Sequence, residues 1–195
     1  MEALTVRVLL VDDDVEDLTI VRKLLRRVPG LEVEIATATS FDDAVALLDR
    51  GRFDLHLVDY RLGQWTGLDL LAEIRRRDAD VPVILLTNLE QPELDLAALG
   101  AGASDYLPKA RLSAAELQRA IKYAQERAAG VRTLRASEER FALAIEGAND
   151  GIWDWDLDTD EVHYSSRWWA LLGVEDPPPN PARLEAWLDR VHPAD

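Results

Sequence analysis

The sequence predicts an α/β fold built on a five-stranded parallel sheet with helices on both faces. Short apolar runs alternate with amphipathic segments over residues 1–125, and most runs are rich in Val, Ile and Leu, as strands buried on both faces are. Because strand–helix alternation favours parallel crossovers, these strands are expected to share one sheet. The runs lie at Val6–Val11, Glu32–Ala36, Phe53–Val58, Val81–Leu86 and Ser104–Leu107.

The helices between these runs are predicted from apolar spacing and capping residues. Residues 15–28 place Val and Leu side chains at helical intervals. Ser40 and Ser113 each precede a helical run and are followed three residues later by an acid, which is typical of N-caps. The remaining predicted helices cover 40–50, 66–77, 90–100 and the residues from 113 onward.

The last helical pattern continues beyond the point where the sheet domain should end. Apolar residues keep a helical spacing from Leu117 to Val131, lose the rhythm near Gly130, and resume it as far as Ile145. Two interpretations stay open at this point. One is a docked helix followed by a linker, and the other is a continuous helical connector that pairs with a second copy of the chain.

After residue 146 the character of the chain changes. The segment GIWDWDLDTDEVHYS predicts two strands joined by a turn at Asp158–Asp160, and SRWWALLGV predicts a short helix. A last helix is predicted at Ala182–Val191. About 50 residues are too few for a robust independent core, so this unit is interpreted as part of a larger domain. The predicted inward side chains are Trp153, Trp155 and Leu157 on one strand, and Val162 and Tyr164 on the next.

Composition excludes several classes of function. A formal net charge of −15 disfavours nucleic acid, whose phosphates need a basic surface, and also an anionic membrane. The absence of cysteine excludes disulfides, thiolate zinc sites and thiol nucleophiles. The N-terminus does not look like a signal peptide, and no apolar run approaches the roughly 18–20 residues of a membrane span. These features predict a soluble, cytoplasmic protein.

Polar residues stand at the ends of the predicted strands. Asp12 and Asp13 follow the first strand, Asp59 follows the third, Thr87 ends the fourth and Lys109 ends the fifth. The carboxyl ends of parallel strands meet at one edge of the sheet, which is where open α/β folds bind ligands. The strand order 2-1-3-4-5, one of the known orders of doubly wound sheets, would make the first and third strands neighbours at the topological switch point. The five side chains are therefore expected to converge.

The chemistry of this group of residues predicts a phosphoryl acceptor with a metal ion. Three carboxylates in one small space raise one another's pKa unless a cation lies among them, and Mg²⁺ suits such oxygen ligands. A carboxylate can accept a phosphoryl group, and a metal ion, an ammonium and a hydroxyl can stabilise charge on that group. We therefore interpret Asp59 as the reacting carboxylate rather than as a turn cap.

The stretches VLLVDDDVED, FDLHLVDYRLGQWTGLDLL, VPVILLT and GASDYLPK resemble the receiver domain of bacterial two-component response regulators. The resemblance covers residues 5–127 and implies a flavodoxin-like (βα)5 fold, Mg²⁺ as cofactor, and a histidine kinase or phosphotransfer protein as phosphoryl donor. It implies a regulatory phosphoacceptor rather than a metabolic enzyme. The implied roles are phosphoacceptor for Asp59; metal ligands for Asp12, Asp13, Asp59 and the backbone carbonyl of Arg61; switch hydroxyl for Thr87; phosphate contact for Lys109; switch aromatic for Tyr106; and a place beside the phosphoryl group for Asn88, where the family usually has Ala or Gly.

The stretch from SEERFALAIEGANDGIWDWD to WWALLGVEDP resembles the first half of a PAS sensory domain, and RVHPAD is similar to a motif found midway through many of them. This resemblance implies that the tryptophans are core residues rather than a cofactor platform. We predict a receiver domain at 1–127, a helical signalling linker at 128–146 that forms a homodimer, and a partial PAS domain at 147–195. Such chains resemble the front ends of histidine kinases and of enzymes that make or degrade cyclic dinucleotides.

One alternative assigns the chain to another class. DDDV contains an Asp-x-Asp after an apolar strand, as in haloacid-dehalogenase-type phosphatases, with Asp12 as nucleophile and Asp14 as general acid. Glu16 opposes this alternative, because that family usually has Thr or Val there. It also leaves Asp59 without a role, so the phosphorylation-switched module is the preferred hypothesis.

Overall fold

The computed structural model describes residues 5–88, 98–148, 150–177 and 179–188. The chain forms two compact units, Met1–Thr133 and Leu134–Asp195. Among the described helices, none is long and apolar enough to cross a lipid bilayer.

The first unit contains the predicted parallel sheet. Its strands are β1 (Thr5–Val11), β2 (Glu32–Ala38), β3 (Leu55–Asp59), β6 (Val83–Thr87) and β7 (Asp105–Pro108), and a small hairpin of β4 (Arg61–Leu62) and β5 (Trp65–Thr66) follows β3. The sheet order is β2-β1-β3-β6-β7, with parallel pairing throughout, which confirms the predicted strand order.

The predicted strand ends are wrong by one or two residues, for local reasons. β3 begins at Leu55 rather than Phe53, since the ladder is preceded by a bond from the Asp54 amide to the Arg7 carbonyl. β6 begins after Pro82, which has no N–H to give to the ladder. β2 extends to Ala38, because its pairing with β1 continues as far as Val11. None of these differences changes which residues stand at the carboxyl edge.

The helices whose full bounds lie within the described residues and that flank or extend the sheet unit are α1 (Val15–Leu25), α2 (Phe41–Arg50), α3 (Gly67–Arg77) and α4 (Ala114–Ala148). The two predicted serine caps are confirmed, since Ser40 Oγ accepts from the Asp43 amide at 3.1 Å and Ser113 Oγ accepts from the Glu116 amide at 3.2 Å. α1 ends three residues earlier than predicted, although Val28 remains buried. Of the predicted helix at 90–100, residues 98–100 are helical and the rest lies outside the described residues.

Helices cover both faces of the sheet, as predicted. α1 and α4 pack on one face through Leu18, Leu25 and Leu117, among other residues. α2 and α3 pack on the opposite face through side chains that include Ala44 and Leu70. Because β3 and β6 are buried along their whole length, these two layers fix the position of the sheet's carboxyl edge.

Helix α4 is continuous over 35 residues, so the change of rhythm near Gly130 does not interrupt it. Its first turns are buried against the sheet unit through Leu117, Ile121 and Ala124. Further along, its large apolar side chains are exposed, including Leu134 at 61% and Phe141 at 66%. The helix is therefore continuous, as the connector interpretation requires, and its pairing with a second copy of the chain stays a prediction.

The second unit is a small antiparallel sheet with two short helices. Its strands are β8 (Trp153–Asp156), β9 (Glu161–Tyr164) and β10 (Ala182–Arg183), in the order β10-β9-β8, and its helices are α5 (Ser166–Leu171) and α6 (Glu185–Leu188). The predicted hairpin is present. The predicted helix at Ala182–Val191 is wrong at its start, because Ala182 and Arg183 pair with β9. Residues 189–195, which include the whole RVHPAD motif, lie outside the described residues.

The tryptophans of this unit do not all join its core. Trp169 is buried with Val162 and Tyr164, as predicted. Trp153 and Trp155 are 49% and 38% exposed, which corrects the prediction that they are core residues. Leu157 lies in the turn after β8 rather than on the strand. The physical reason is that the buried cluster forms around β9, while β8 is an edge strand among the described residues.

Candidate functional site

Three aspartates meet where β1 and β3 end side by side. Val11 pairs with Val58, so Asp12 leaves β1 beside Asp59, the last residue of β3. Asp12 is fully buried, Asp59 is nearly so, and Asp13 is exposed. Asp12, Asp13 and Asp59 each contribute an oxygen to a group of ligand atoms that lie within 4.8 Å of one another. The sequence placed these three residues together correctly.

The ammonium of Lys109 joins this cluster from the turn that follows β7. Its Nζ lies 2.6 Å from Asp12 Oδ2 and 2.5 Å from Asp59 Oδ1. The same Nζ lies 2.8 Å from Oδ2 of Asp17 in α1. Sequence reasoning anticipated the position of Lys109 but missed Asp17. Its place in the first turn of α1, directly after β1 ends at the carboxyl edge of the sheet, is the signal that could have found it.

Burial and the lysine act against each other at these carboxylates. Burial raises the pKa of Asp12 to about 6, although hydrogen bonds from Lys109 and from the Asp14 amide lower it. Burial also raises the pKa of Asp59, against the same lysine. For Lys109, burial alone would lower the pKa, but its bonds to the three carboxylates outweigh burial and raise it. The ammonium of Lys109 therefore does not fully offset the cost of burying these carboxylates in their ionised form, and a cation bound beside them would lower that cost.

Of the other predicted residues, Thr87 and Asn88 lie at the same sheet edge, whereas Tyr106 lies two residues before the end of β7. Thr87 is buried and ends β6, one residue beyond the Asp59–Leu86 pair. Tyr106 is buried in the neighbouring strand β7, where it pairs with Leu85, and Asn88 follows Thr87 with an exposed side chain. The Arg61 amide donates to Asp59 Oδ2 at 2.7 Å, a contact that the sequence did not predict.

The connection from β3 to α3 fixes the backbone of Asp59. The Gly67 amide donates to the Tyr60 carbonyl at 2.8 Å, and a Cβ placed on Gly67 would lie 2.5 Å from the Asp59 carbonyl oxygen. Thr66 and Asp69 form a reciprocal cap on α3 directly after the hairpin. The hairpin was not predicted, because two-residue strands give too little periodicity to recognise.

The carboxylates present fit a hard divalent cation. Carboxylate oxygens are the ligands that Mg²⁺ prefers, and a cation would stabilise the ionised forms of Asp12 and Asp59, which burial disfavours. Asp12, Asp13 and Asp59 are the side chains that could hold it.

The fold and this cluster define a doubly wound parallel α/β protein with an acidic site at its topological switch point. The family model of the response regulator receiver domain matches residues 8–122. The chain therefore belongs to the response regulator receiver domain family.

Known relatives agree with this assignment. The chain is 36% identical over 138 residues to the transcriptional regulatory protein ZraR of Salmonella typhimurium, covering 70% of this chain and 30% of ZraR. It is 40% identical over 103 residues to the alginate biosynthesis transcriptional regulatory protein AlgB of Pseudomonas aeruginosa, covering 53% of this chain and 22% of AlgB. The chain thus spans less than a third of the length of these curated relatives.

A solved structure matches the receiver region almost end to end. The CheY-like response regulator receiver domain protein from Methanospirillum hungatei is 27% identical, with a TM-score of 0.56, and the match covers 65% of this chain and 98% of that one. The similarity thus extends over a whole receiver domain.

Proposed function

We propose that this chain is a phosphorylation-switched regulatory module that accepts a phosphoryl group on Asp59 in the presence of Mg²⁺. The observation that carries the proposal is the meeting of Lys109 with the buried carboxylates of Asp12 and Asp59, beside Asp13. The donor is a histidine kinase or a phosphotransfer protein, as the receiver family implies, and the expected location is the cytoplasm.

The geometry favours this function over an aspartate-nucleophile phosphatase acting through Asp12 and Asp14. Asp14 caps α1, where its carboxylate accepts from the amides of Glu16 and Asp17. A carboxylate bound to two helix amides is poorly placed to act as a general acid. The phosphatase alternative is therefore not supported.

In the proposed reaction, a carboxylate oxygen of Asp59 attacks the phosphorus of the donor, the new O–P bond forms, and the donor's leaving group departs with the electron pair of the broken bond. The Arg61 amide and Lys109 each bind one oxygen of this carboxylate and so orient it. Lys109 offsets negative charge on the transferred group. Asp12, Asp13, Asp59 and the Arg61 carbonyl would hold Mg²⁺, which supplies further positive charge there.

The proposed switch links this charge change to the long helix. A phosphoryl group on Asp59 would attract the hydroxyl of Thr87, and Tyr106 would repack in response. Because α4 packs on the sheet unit and continues to Ala148, the change can pass from a receiver domain at 1–127, through a linker at 128–146, to a partial PAS domain at 147–195. We propose cyclic-dinucleotide turnover or histidine kinase activity as the output of the longer protein.

Phosphoryl transfer is tested by intact mass after incubation with acetyl phosphate and Mg²⁺. The wild-type chain is expected to gain the mass of one phosphoryl group, and Asp59→Asn is expected to gain none because the amide is not a nucleophile. Omitting Mg²⁺ should also prevent the gain. Asp14→Asn serves as the matched control and should still be phosphorylated. Equal labelling of wild type and Asp59→Asn would contradict the proposal.

Dimerisation through α4 is a separate proposal. Val131, Leu134, Phe141 and Ile145 follow one another at intervals of three, seven and four residues, which places them on one side of the helix. Leu134→Glu is expected to convert a dimer into a monomer, because a charge would enter an apolar seam. Leu143→Glu is the matched control, since Leu143 is exposed but lies off this stripe. Light scattering that gives a monomeric mass for the wild type would reject the proposal.

A further inference from the structure

Asp17 has no role in the proposed reaction as described above, yet it is bound to a central residue of the site. Its Oδ2 lies 2.8 Å from Nζ of Lys109, and its side chain is 24% exposed whereas that of Lys109 is 9% exposed. A bond of this length to a largely buried ammonium is a strong, charge-assisted one. Its position in the first turn of α1 ties that helix to the turn after β7.

The three carboxylate partners of Lys109 differ in whether they can also bind a cation. An ammonium has three donors, and here one oxygen of each of Asp12, Asp17 and Asp59 lies within 2.8 Å of it. Asp12 and Asp59 also belong to the group that can hold a cation, while Asp17 does not. The ion pair between Asp17 and Lys109 is therefore independent of the metal site.

Phosphorylation of Asp59 would change which carboxylates remain charged partners of Lys109. When Asp59 becomes an acyl phosphate, its carboxylate charge is lost, and Asp12 is shared with the cation. Asp17 then remains as the charged partner that is committed to Lys109 alone. A lysine side chain has a flexible four-carbon stem, so losing this anchor would let the ammonium sample positions away from the phosphoryl oxygens.

We propose that Asp17 is a positioning residue that holds Lys109 so that one of its donors stays directed at the phosphoryl group. This inference rests on the proposed function, because it assigns Lys109 to the phosphoryl group. The consequence is that Asp17 contributes to the affinity for a phosphoryl group without binding either that group or the cation.

The test measures the affinity for beryllium trifluoride, a phosphoryl mimic, at saturating Mg²⁺ by ¹⁹F NMR titration of the full chain. Asp17→Ala is expected to weaken binding by about fivefold, which is less than the full effect of one charge-assisted hydrogen bond because Asp17 binds Lys109 and not the ligand. Asp17→Asn keeps an acceptor oxygen and should recover at least half of that loss. Glu16→Ala is the matched control, because Glu16 is an exposed acid in the same first turn of α1. It should bind within about twofold of wild type.

The outcomes separate the inference from the proposed function. Equal affinities of Asp17→Ala and Glu16→Ala would overturn the positioning role while leaving phosphoryl binding intact, and so would an Asn variant as weak as the Ala variant. A Mg²⁺ affinity that falls much more in Asp17→Ala than in Glu16→Ala would also overturn it, because Asp17 would then act on the cation. If the wild type did not bind beryllium trifluoride at all, the proposed function and this inference would both fail.

Discussion

Replacing Gly67 by alanine is expected to lower the free energy of unfolding of the sheet unit by about 2 kcal/mol or more. The new Cβ would lie 2.5 Å from the carbonyl oxygen of Asp59 and 3.1 Å from the Cα of Tyr60. Both atoms belong to the backbone, so no side chain can rotate away to relieve the clash. The end of β3 or the start of α3 must move, and either movement disturbs packing in a dense core.

The same substitution should also impair the proposed chemistry. The Asp59 carbonyl that a Cβ would displace belongs to the residue whose carboxylate is held by Lys109 and the Arg61 amide. We expect slower phosphoryl incorporation from acetyl phosphate, because a displaced carboxylate loses its alignment with these donors. The measurements are urea denaturation followed by circular dichroism and the initial rate of mass gain.

Gly130→Ala is the matched control for this prediction. Gly130 lies inside α4, and a Cβ there would meet no atom within 4 Å. Alanine is favoured over glycine in a helix interior by about 0.5–1 kcal/mol, so this variant should be as stable as the wild type or more stable. A Gly67→Ala variant with wild-type stability and labelling rate would show that the chain relaxes around the added methyl group without cost, contrary to the prediction.

The strongly patterned parts of the fold were predictable from the sequence, and they also carry the site. β1, β3 and β6 are short, largely apolar runs, and each ends at or just before a residue type that the chemistry can use. The strand order then brings Asp12 and Asp59 together without any knowledge of side-chain conformations. Lys109 could be placed for the same reason, because it follows the last strand of the sheet.

Features that depend on long-range packing were not predictable in the same way. Asp17 belongs to the apparently solvated face of an amphipathic helix until the sheet brings Lys109 to it from 92 residues away. The exposure of Trp153 and Trp155 depends on which strands flank β8 rather than on the alternation within it. The observed strand ends also differ from the predicted ones where a single backbone hydrogen bond or a proline limits the pairing, as Pro82 does at the start of β6.

His56 is expected to make the stability of the fold depend on pH. The residue lies in the middle of β3 and is 2% exposed. Its Nδ1 lies 3.4 Å from the Pro82 carbonyl oxygen, and its Nε2 is buried without a hydrogen-bond partner among the described residues. Burial lowers the pKa of His56 to about 4, because the charged imidazolium would lose its hydration there.

The sign of the pH dependence follows from this shift. In the unfolded chain a histidine takes up its proton near pH 6.5, whereas the folded chain resists protonation until about pH 4. The unfolded state therefore binds more protons in this interval, and stability falls as the pH is lowered through it. The stabilisation by neutral His56 is fully present above pH 6.5, and about 2 kcal/mol of it should be lost by pH 5.

His56→Leu separates this effect from the titration of the carboxylates. Leucine carries no proton, so the variant should lose about 2 kcal/mol less than the wild type between pH 7 and pH 5. Any cost of repacking against Phe53, which contacts the imidazole edge, appears at both pH values and cancels in the difference. The measurement is the urea dependence of unfolding for both proteins at each pH, with the imidazole resonances followed by NMR. Parallel pH profiles, or an imidazole that titrates near pH 6.5 in the folded chain, would show that β3 accommodates the charge and that His56 does not limit stability in acid.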